Sequence, residues 1–288
     1  MLRMMLGGRL RRLREASGLS REEAGASIRG SDSKISRLEL GRTGFRERDL
    51  FDLLTAYGVT DPTEREEFRE LARQANASGW WHRDSDWLPK WFDTYLGLEQ
   101  AARLIRVYEP RAVPELLQTH DYASALLSLA HPDESGESIE RRVALRMDRQ
   151  QIFDRADPPH AWLIVDEAAL RRPIGGSAVW HDQLDHLLRV AARSNITVQV
   201  LADHVGGPAV ADGAFTMLRF AEPDLPDIVY LQQLTSALYL DKGSDLGAYR
   251  AVANRLSVLA APPEYTTGLL EALRERHKPI LDRPLRED

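Results

Sequence analysis

Two helix starts and two helix stops fall between Gly18 and Gly41, and that density leaves few folds open. Gly18 ends a first stretch in which Leu6, Leu10 and Leu13 recur at helical spacing. Ser20-Arg21-Glu22-Glu23 then forms a capping box, serine at the N-cap and glutamate at N3, and predicts a short helix through about Ile28. Arg29-Gly30-Ser31 predicts a turn. A third helix runs to about Leu40 with Ile35 and Leu38 facing inward, and Gly41 stands just past its end, at the C′ position. A fourth, from about Arg46 to Tyr57, turns Leu50, Leu53 and Leu54 to the core. Helices this short are marginal alone in water, so they must pack on one another. The second and third, joined by a tight turn, are arranged as a helix-turn-helix.

Charge supports that reading. The 288-residue chain has a formal net charge of −6, which taken whole argues against a nucleic-acid partner. Residues 1–48, however, hold 12 Lys+Arg against 6 Asp+Glu, while residues 49–288 hold 26 against 38. A basic contact module on an acidic body is the expected arrangement. The sequence has no cysteine, which excludes a disulfide scaffold, a Cys-ligated zinc, an iron–sulfur site and a thiol nucleophile. Arg3 interrupts the N-terminus before any signal-peptide core, and no stretch approaches the ~18 uncharged apolar residues of a membrane span. A cytoplasmic, nucleoid-associated protein with no membrane partner is expected.

In a helix-turn-helix one helix braces the other so that the N-terminal side chains of the second reach base edges in the major groove. The candidates there are Ser31, Asp32, Ser33, Lys34, Ser36 and Arg37. Asp32 can accept from cytosine N4, and Arg37 can bind guanine O6 and N7 together. Arg21, Lys34 and Arg42 are read as phosphate contacts, which set affinity and orientation but carry no sequence information.

Downstream, Asp61-Pro62-Thr63-Glu64 opens a charged helix to about Ser78, read as a connector. The pattern then changes. Trp80, Trp81, Trp87 and Trp91 cluster. Helices are expected near 114–130, 136–156, 177–192, 244–260 and 263–277, and strands at Ala161–Val165, Ile196–Val200, Phe215–Phe220, Ile228–Leu231 and Ala237–Leu240. The fold class is therefore α+β, an N-terminal all-α domain (residues 1–60), a connector (61–79), a larger mixed α/β regulatory domain (80–278) and a loose tail (279–288).

Leu19-Ser20-Arg21-Glu22-Glu23, followed by Ser33-Lys34-Ile35-Ser36-Arg37-Leu38-Glu39-Leu40-Gly41-Arg42, resembles the repressor/Cro-type, xenobiotic-response-element class of helix-turn-helix. Ala24-Gly25 departs from that class's Leu-Ala, an interior glycine costing roughly 1 kcal/mol, and the turn glycine comes one place late, with Arg29 before Gly30. The remainder resembles the C-terminal domain of the WhiJ-like regulators of Streptomyces and related actinomycetes. The resemblance runs through Ile105–Glu109, Val113-Pro114-Glu115-Leu116-Leu117-Gln118-Thr119, Arg146–Gln150, Asp166–Arg172, Gln183-Leu184 and Thr197–Val200. It implies a transcription regulator of development or secondary metabolism, with a small acidic partner protein encoded nearby. Glu115 stands where that family has glycine.

Enzymatic motifs are sparse. Among His181, Asp182, Asp185 and His186, Asp182 and His186 are read as the pair sharing a helix face, a solvated one. Asp166-Glu167 follows a strand, where an α/β enzyme places carboxylates, but acids are equally at home at a helix N-terminus. Asp203-His204 and Gly175-Gly176 are read as turns, and the arginines at 142, 146 and 149 as a solvated stripe. No enzyme, metal or cofactor is expected. Trp80, Trp81, Trp87, Trp91, Tyr108 and Gln118 are the candidates for a pocket receiving a small-molecule effector or a partner. The reading is a sequence-specific, homodimeric transcription regulator whose C-terminal domain dimerises and senses. The alternative is a partner-controlled, toxin-like effector with an enzymatic C-terminal domain and an autoregulatory DNA-binding module.

Overall fold

A computed structural model describes residues 2–76, 87–205, 211, 213–221 and 225–276. They divide into two compact units, residues 1–102 with 220–226, and residues 103–219 with 227–288.

The first unit is helical: α1 (Leu2–Ala16), α2 (Arg21–Ser27), α3 (Asp32–Glu39), α4 (Glu47–Ala56), α5 (Pro62–Asn76) and α6 (Lys90–Glu99). Both arms of the capping box form at α2, Ser20 accepting from the Glu23 N–H and the Glu23 carboxylate accepting from the Ser20 N–H. At the end of α3, Gly41 adopts φ +65. Its N–H donates to Leu38 O at 3.0 Å and that of Arg42 to Arg37 O at 2.8 Å, which satisfies two carbonyls the helix leaves open. A Cβ on Gly41 would stand 2.6 Å from the Met4 nitrogen, so only glycine lets α3 turn this close to α1.

The core joins Leu6, Leu10, Ile35, Leu38, Leu50, Leu53 and Leu54 to Phe68 and Ala72. The last two belong to α5, so the segment expected as a connector is a wall of this unit; its charged residues lie on the outside and hide the buried stripe. The units divide after Ala102 rather than near residue 80, because α6, which the aromatic cluster masked, buries Tyr95, Leu96 and Leu98. The 279–288 tail lies outside the described residues.

The second unit is built on a six-stranded sheet of order β3-β2-β1-β4-β5-β6, with β1 (Leu104–Glu109), β2 (His160–Asp166), β3 (Ile196–Leu201), β4 (Phe215–Arg219), β5 (Ile228–Gln232) and β6 (Ala237–Leu240). β1, β2 and β3 run parallel; β4 is antiparallel to β1 and continues as an antiparallel meander. Its helices are α7 (His120–Ala130), α8 (Gly136–Gln150), α9 (Glu167–Leu170), α10 (Gly176–Ala191), α11 (Gly243–Leu259) and α12 (Pro263–Arg276). Tyr108, Ile164, Phe215, Met217 and Val229 meet Leu246, Ala253 and Leu256 of α11 on one face of the sheet.

β1 was not foreseen as a strand, since Arg106 interrupts its apolar run. The Arg106 guanidinium lies 5.1 Å over the Trp162 ring and donates to Asn254 Oδ1 at 2.9 Å, so the charge is carried to the edge of the packed layer. The helix expected over 114–130 breaks into a 3-10 turn (Glu115–Leu117) and α7, whose N-cap is Thr119.

The arginine stripe of α8 faces inward rather than to solvent. Arg146 donates to Glu115 at 2.8 Å and to Gln118 Oε1 at 2.7 Å, and Arg149 reaches the other Glu115 oxygen at 2.5 Å. Arg142 pairs with Glu134 at 2.7 Å. Burial alone would raise the Glu115 carboxyl, but the two guanidiniums hold it at about 2. At Glu115, where the WhiJ-like resemblance implies glycine, no left-handed backbone is needed, Arg29 being the non-glycine residue with positive φ among those described. Gln183, fully buried on α10, accepts from the Thr119 N–H and donates to Leu117 O, both at 2.7 Å. The residues that carry the resemblance over 113–119, 146–150 and 183 are thus one buried hydrogen-bond network.

Candidate nucleic-acid interface

α2 and α3 meet through a turn whose backbone is tightly constrained. Gly30 N–H donates to Gly25 O at 2.8 Å, and a Cβ on Gly25 would come 3.0 Å from Gly30 O and from the Ser31 carbonyl carbon. The glycine that departs from the usual Leu-Ala therefore lets α2 sit against the turn. The left-handed residue of that turn is Arg29, at φ +50, one place before the glycine.

α3 is braced from behind. Arg14 of α1 donates to both Glu39 oxygens, at 2.5 and 3.3 Å, and to Leu19 O at 2.8 Å. The two side chains are 9% and 7% exposed, so this pair ties the end of α3 to α1 from within the domain. Donating to the Glu39 carboxylate raises the pKa of the Arg14 guanidinium further. Ile35 and Leu38 point into the core and leave the opposite face of α3 outward.

The expected contact residues divide by what they already hold. Ser31 is the N-cap of α3, its hydroxyl accepting from the Lys34 N–H. Ser33 donates to Asp32 Oδ1 at 3.1 Å. Ser36 is half-buried, and Arg21, at the start of α2, is exposed. Lys34 is ion-paired with Asp49 of α4 at 2.7 Å, which fastens α3 to α4 and leaves it poorly placed to hold a phosphate as well. Arg37 and Arg42 are exposed.

The other arginines complete the picture. Arg9 pairs with Glu67, Arg11 with Glu15, Arg48 with Asp52, Arg69 with Glu66 and Arg73 with Glu70. Arg3 donates to Ala75 O and Arg65 to Phe51 O. Exposed Arg21, at the start of α2, has no side-chain hydrogen bond, ion pair or ring contact among the described residues and feels the charge of Glu15. Arg29, Arg37, Arg42 and Arg46 likewise have none, and all are exposed. They fall in the turn before α3, on α3, and in the loop after it. Sequence reading named Arg37 and Arg42 and missed Arg29 and Arg46.

Residues 92–272 match a family described as a domain of unknown function (DUF5753). The chain belongs to that family. Residues 5–68 match a helix-turn-helix domain, which makes this DUF5753 protein a DNA-binding regulator by its N-terminal unit. The comparisons with curated proteins and with solved structures found no match.

Trp80 and Trp81 lie outside the described residues, and Trp87 and Trp91 belong to the first unit. Tyr108 is buried in the sheet of the second. There it lines a small, shallow cleft with Arg106, Trp162, Phe215 and Leu256. Its hydroxyl has no hydrogen-bond partner, and burial pushes it up to about 12. Gln118 is committed to the network, donating to Val113 O at 2.6 Å.

On α10 the pair that meets is His181 and Asp185, 3.6 Å apart, rather than Asp182 and His186. His181, Asp182 and Asp185 bring ligand atoms within 4.8 Å of one another, but Arg274 already donates to Asp185 at 2.9 Å and supplies the cation there. His186 is half-buried, with Nε2 shielded from solvent and unpartnered. Asp166 caps α9, accepting from the Ala168 N–H, and Glu167 pairs with Arg171 at 2.6 Å; both do helix-terminus work. No helix among the described residues is long and apolar enough to cross a membrane.

Proposed function

We propose that this chain is a sequence-specific transcription regulator that binds double-stranded DNA through α2 and α3, acts as a homodimer, and receives its signal through the DUF5753 domain. The observation that carries the DNA reading is the placement of Arg29, Arg37, Arg42 and Arg46 around α3, with Arg21 at the start of α2, all unpaired while most other arginines of this unit are committed to carboxylates or carbonyls. A phosphate surface gains most from guanidiniums that give up no internal partner on binding. Two copies would set their α3 helices on half-sites about 34 Å apart. The resemblance to WhiJ-like regulators supports a role in development or secondary metabolism, with a small protein or small ligand as the signal and the nucleoid as the place of action. The DUF5753 domain is read as regulatory rather than enzymatic, on the ground that its acids and histidines are mostly paired within the fold.

Selection of bound duplexes from a random library, followed by titration over salt, tests the proposal. A preferred sequence should emerge, and affinity should fall steeply as salt rises. Arg37→Ala should relax preference at one base pair, at about 1–3 kcal/mol, whereas Arg42→Ala should weaken all sequences alike and lower the salt slope by about one. Absence of both a preferred sequence and a salt slope overturns it.

A further inference from the structure

The loop that leaves α3 is held at two points. At the first, Gly41 lies against the backbone of Arg3 and Met4 at the start of α1. At the second, the Asn76 side chain pairs with both backbone groups of Phe45: the Phe45 N–H donates to Asn76 Oδ1 at 3.0 Å, and Asn76 Nδ2 donates to Phe45 O at 2.6 Å. One amide side chain thus reproduces the two-bond exchange of a strand pair, which fixes direction as well as distance. Gly44 is part of the fit, since a Cβ there would stand 2.9 Å from Asn76 Oδ1. The Phe45 ring is buried in the core. Arg42 and Thr43 lie between the two points, and Arg46 directly follows the second.

We propose that Asn76 is a positioning residue for DNA phosphate contact: by clasping Phe45 it fixes the loop on which Arg42 and Arg46 are presented. This rests on the DNA-binding reading and deepens it. Asn76 lies at the end of α5, beyond the 5–68 match, so the clasp is a feature that the helix-turn-helix similarity does not carry. The physical gain is preorganisation. A free loop must give up backbone freedom when two guanidiniums bind neighbouring phosphates, and a loop already fixed has lost it on folding. Because the groups it presents meet phosphate, the effect is on affinity and salt dependence, not on sequence preference.

The test uses the full chain and a fluorescent random-sequence duplex of about 30 bp, titrated between about 50 and 200 mM salt. Asn76→Ala should weaken binding about fivefold and lower the salt slope by up to one. The preferred sequence found by selection should stay the same. Adding Asn76→Ala to an Arg42→Ala/Arg46→Ala pair should cost nothing further, because the loop then presents no charge. A merely structural asparagine would give losses that add. Asn76→Gln, one methylene too long to meet both Phe45 groups, serves as a second variant and should behave alike should the alanine variant fail to fold. Wild-type chain that ignores the duplex overturns the DNA reading itself. Wild-type binding matched by the Asn76 variants, or additive losses, overturns the clasp alone.

Discussion

Arg29 occupies a left-handed backbone position at φ +50, where a side chain costs about 1 kcal/mol or more. Glycine removes that cost, though its freer unfolded chain returns part of the gain. Arg29→Gly should therefore stabilise the helical unit by about 1 kcal/mol in urea unfolding, and at the same time weaken binding to a random duplex. Movement of both quantities in the same direction would contradict the view that this arginine is kept for its charge. His120 gives a second test. Hydrogen bonds to Glu140 and Asp121 raise its pKa above 6.5. The protonated ring thus contributes stability that is fully present below the unfolded value and lost as pH rises through the folded one. The stability gap between wild type and His120→Gln should be largest near pH 6 and close towards pH 8, by urea titration. His186, lowered by burial and by Arg189, opposes it: its buried neutral ring favours the fold less as pH falls. Arg37 and Arg42 were legible as candidates at this scale, since the helix and its C′ glycine place them. That Lys34, read as a phosphate contact, pairs with Asp49 was not legible, because Asp49 is on another helix. Arg29 and Arg46 escaped because being unpaired depends on where every acid ends up in space.

At the scale of elements, the 3-10 turn at Glu115–Leu117 and helix α8 depend on each other through one carboxylate. Glu115→Gly should leave Arg146 and Arg149 without their counter-charge. The expected loss is about 2 kcal/mol in denaturant unfolding, below the 3–5 of a fully buried pair because Glu115 keeps some contact with water. An unchanged midpoint would show that Gln118, Gln150 and solvent satisfy the arginines unaided. Elements with strong local signals were readable in advance. Capped helices α2 and α3 and the alternating strand β3 fall within a residue of expectation. β1 was not readable, because Arg106 in mid-strand breaks the apolar pattern and is covered by Trp162 from the neighbouring strand. Nor was the burial of α5, where Phe68 and Ala72 are a thin stripe on a highly charged helix.

At the scale of the molecule, the charge asymmetry does not follow the two-unit division: the basic excess is confined to residues 1–48, where the unpaired arginines lie, and residues 49–102 of the same unit already hold 5 Lys+Arg against 11 Asp+Glu. The order of strands in the sheet also bears on how the chain is made. β1, β2 and β3 form the parallel half, and the far edge of β1 is completed only by β4, which pairs Leu104 with Arg219 roughly 115 residues later. During synthesis on the ribosome the parallel half is finished before that partner emerges. For the interval needed to translate the stretch up to Arg219, the central strand of the mature sheet is a bare edge, open to any other nascent chain. The antiparallel meander, once out, closes quickly through local turns, so the arrival of β4 is the event that ends the exposure.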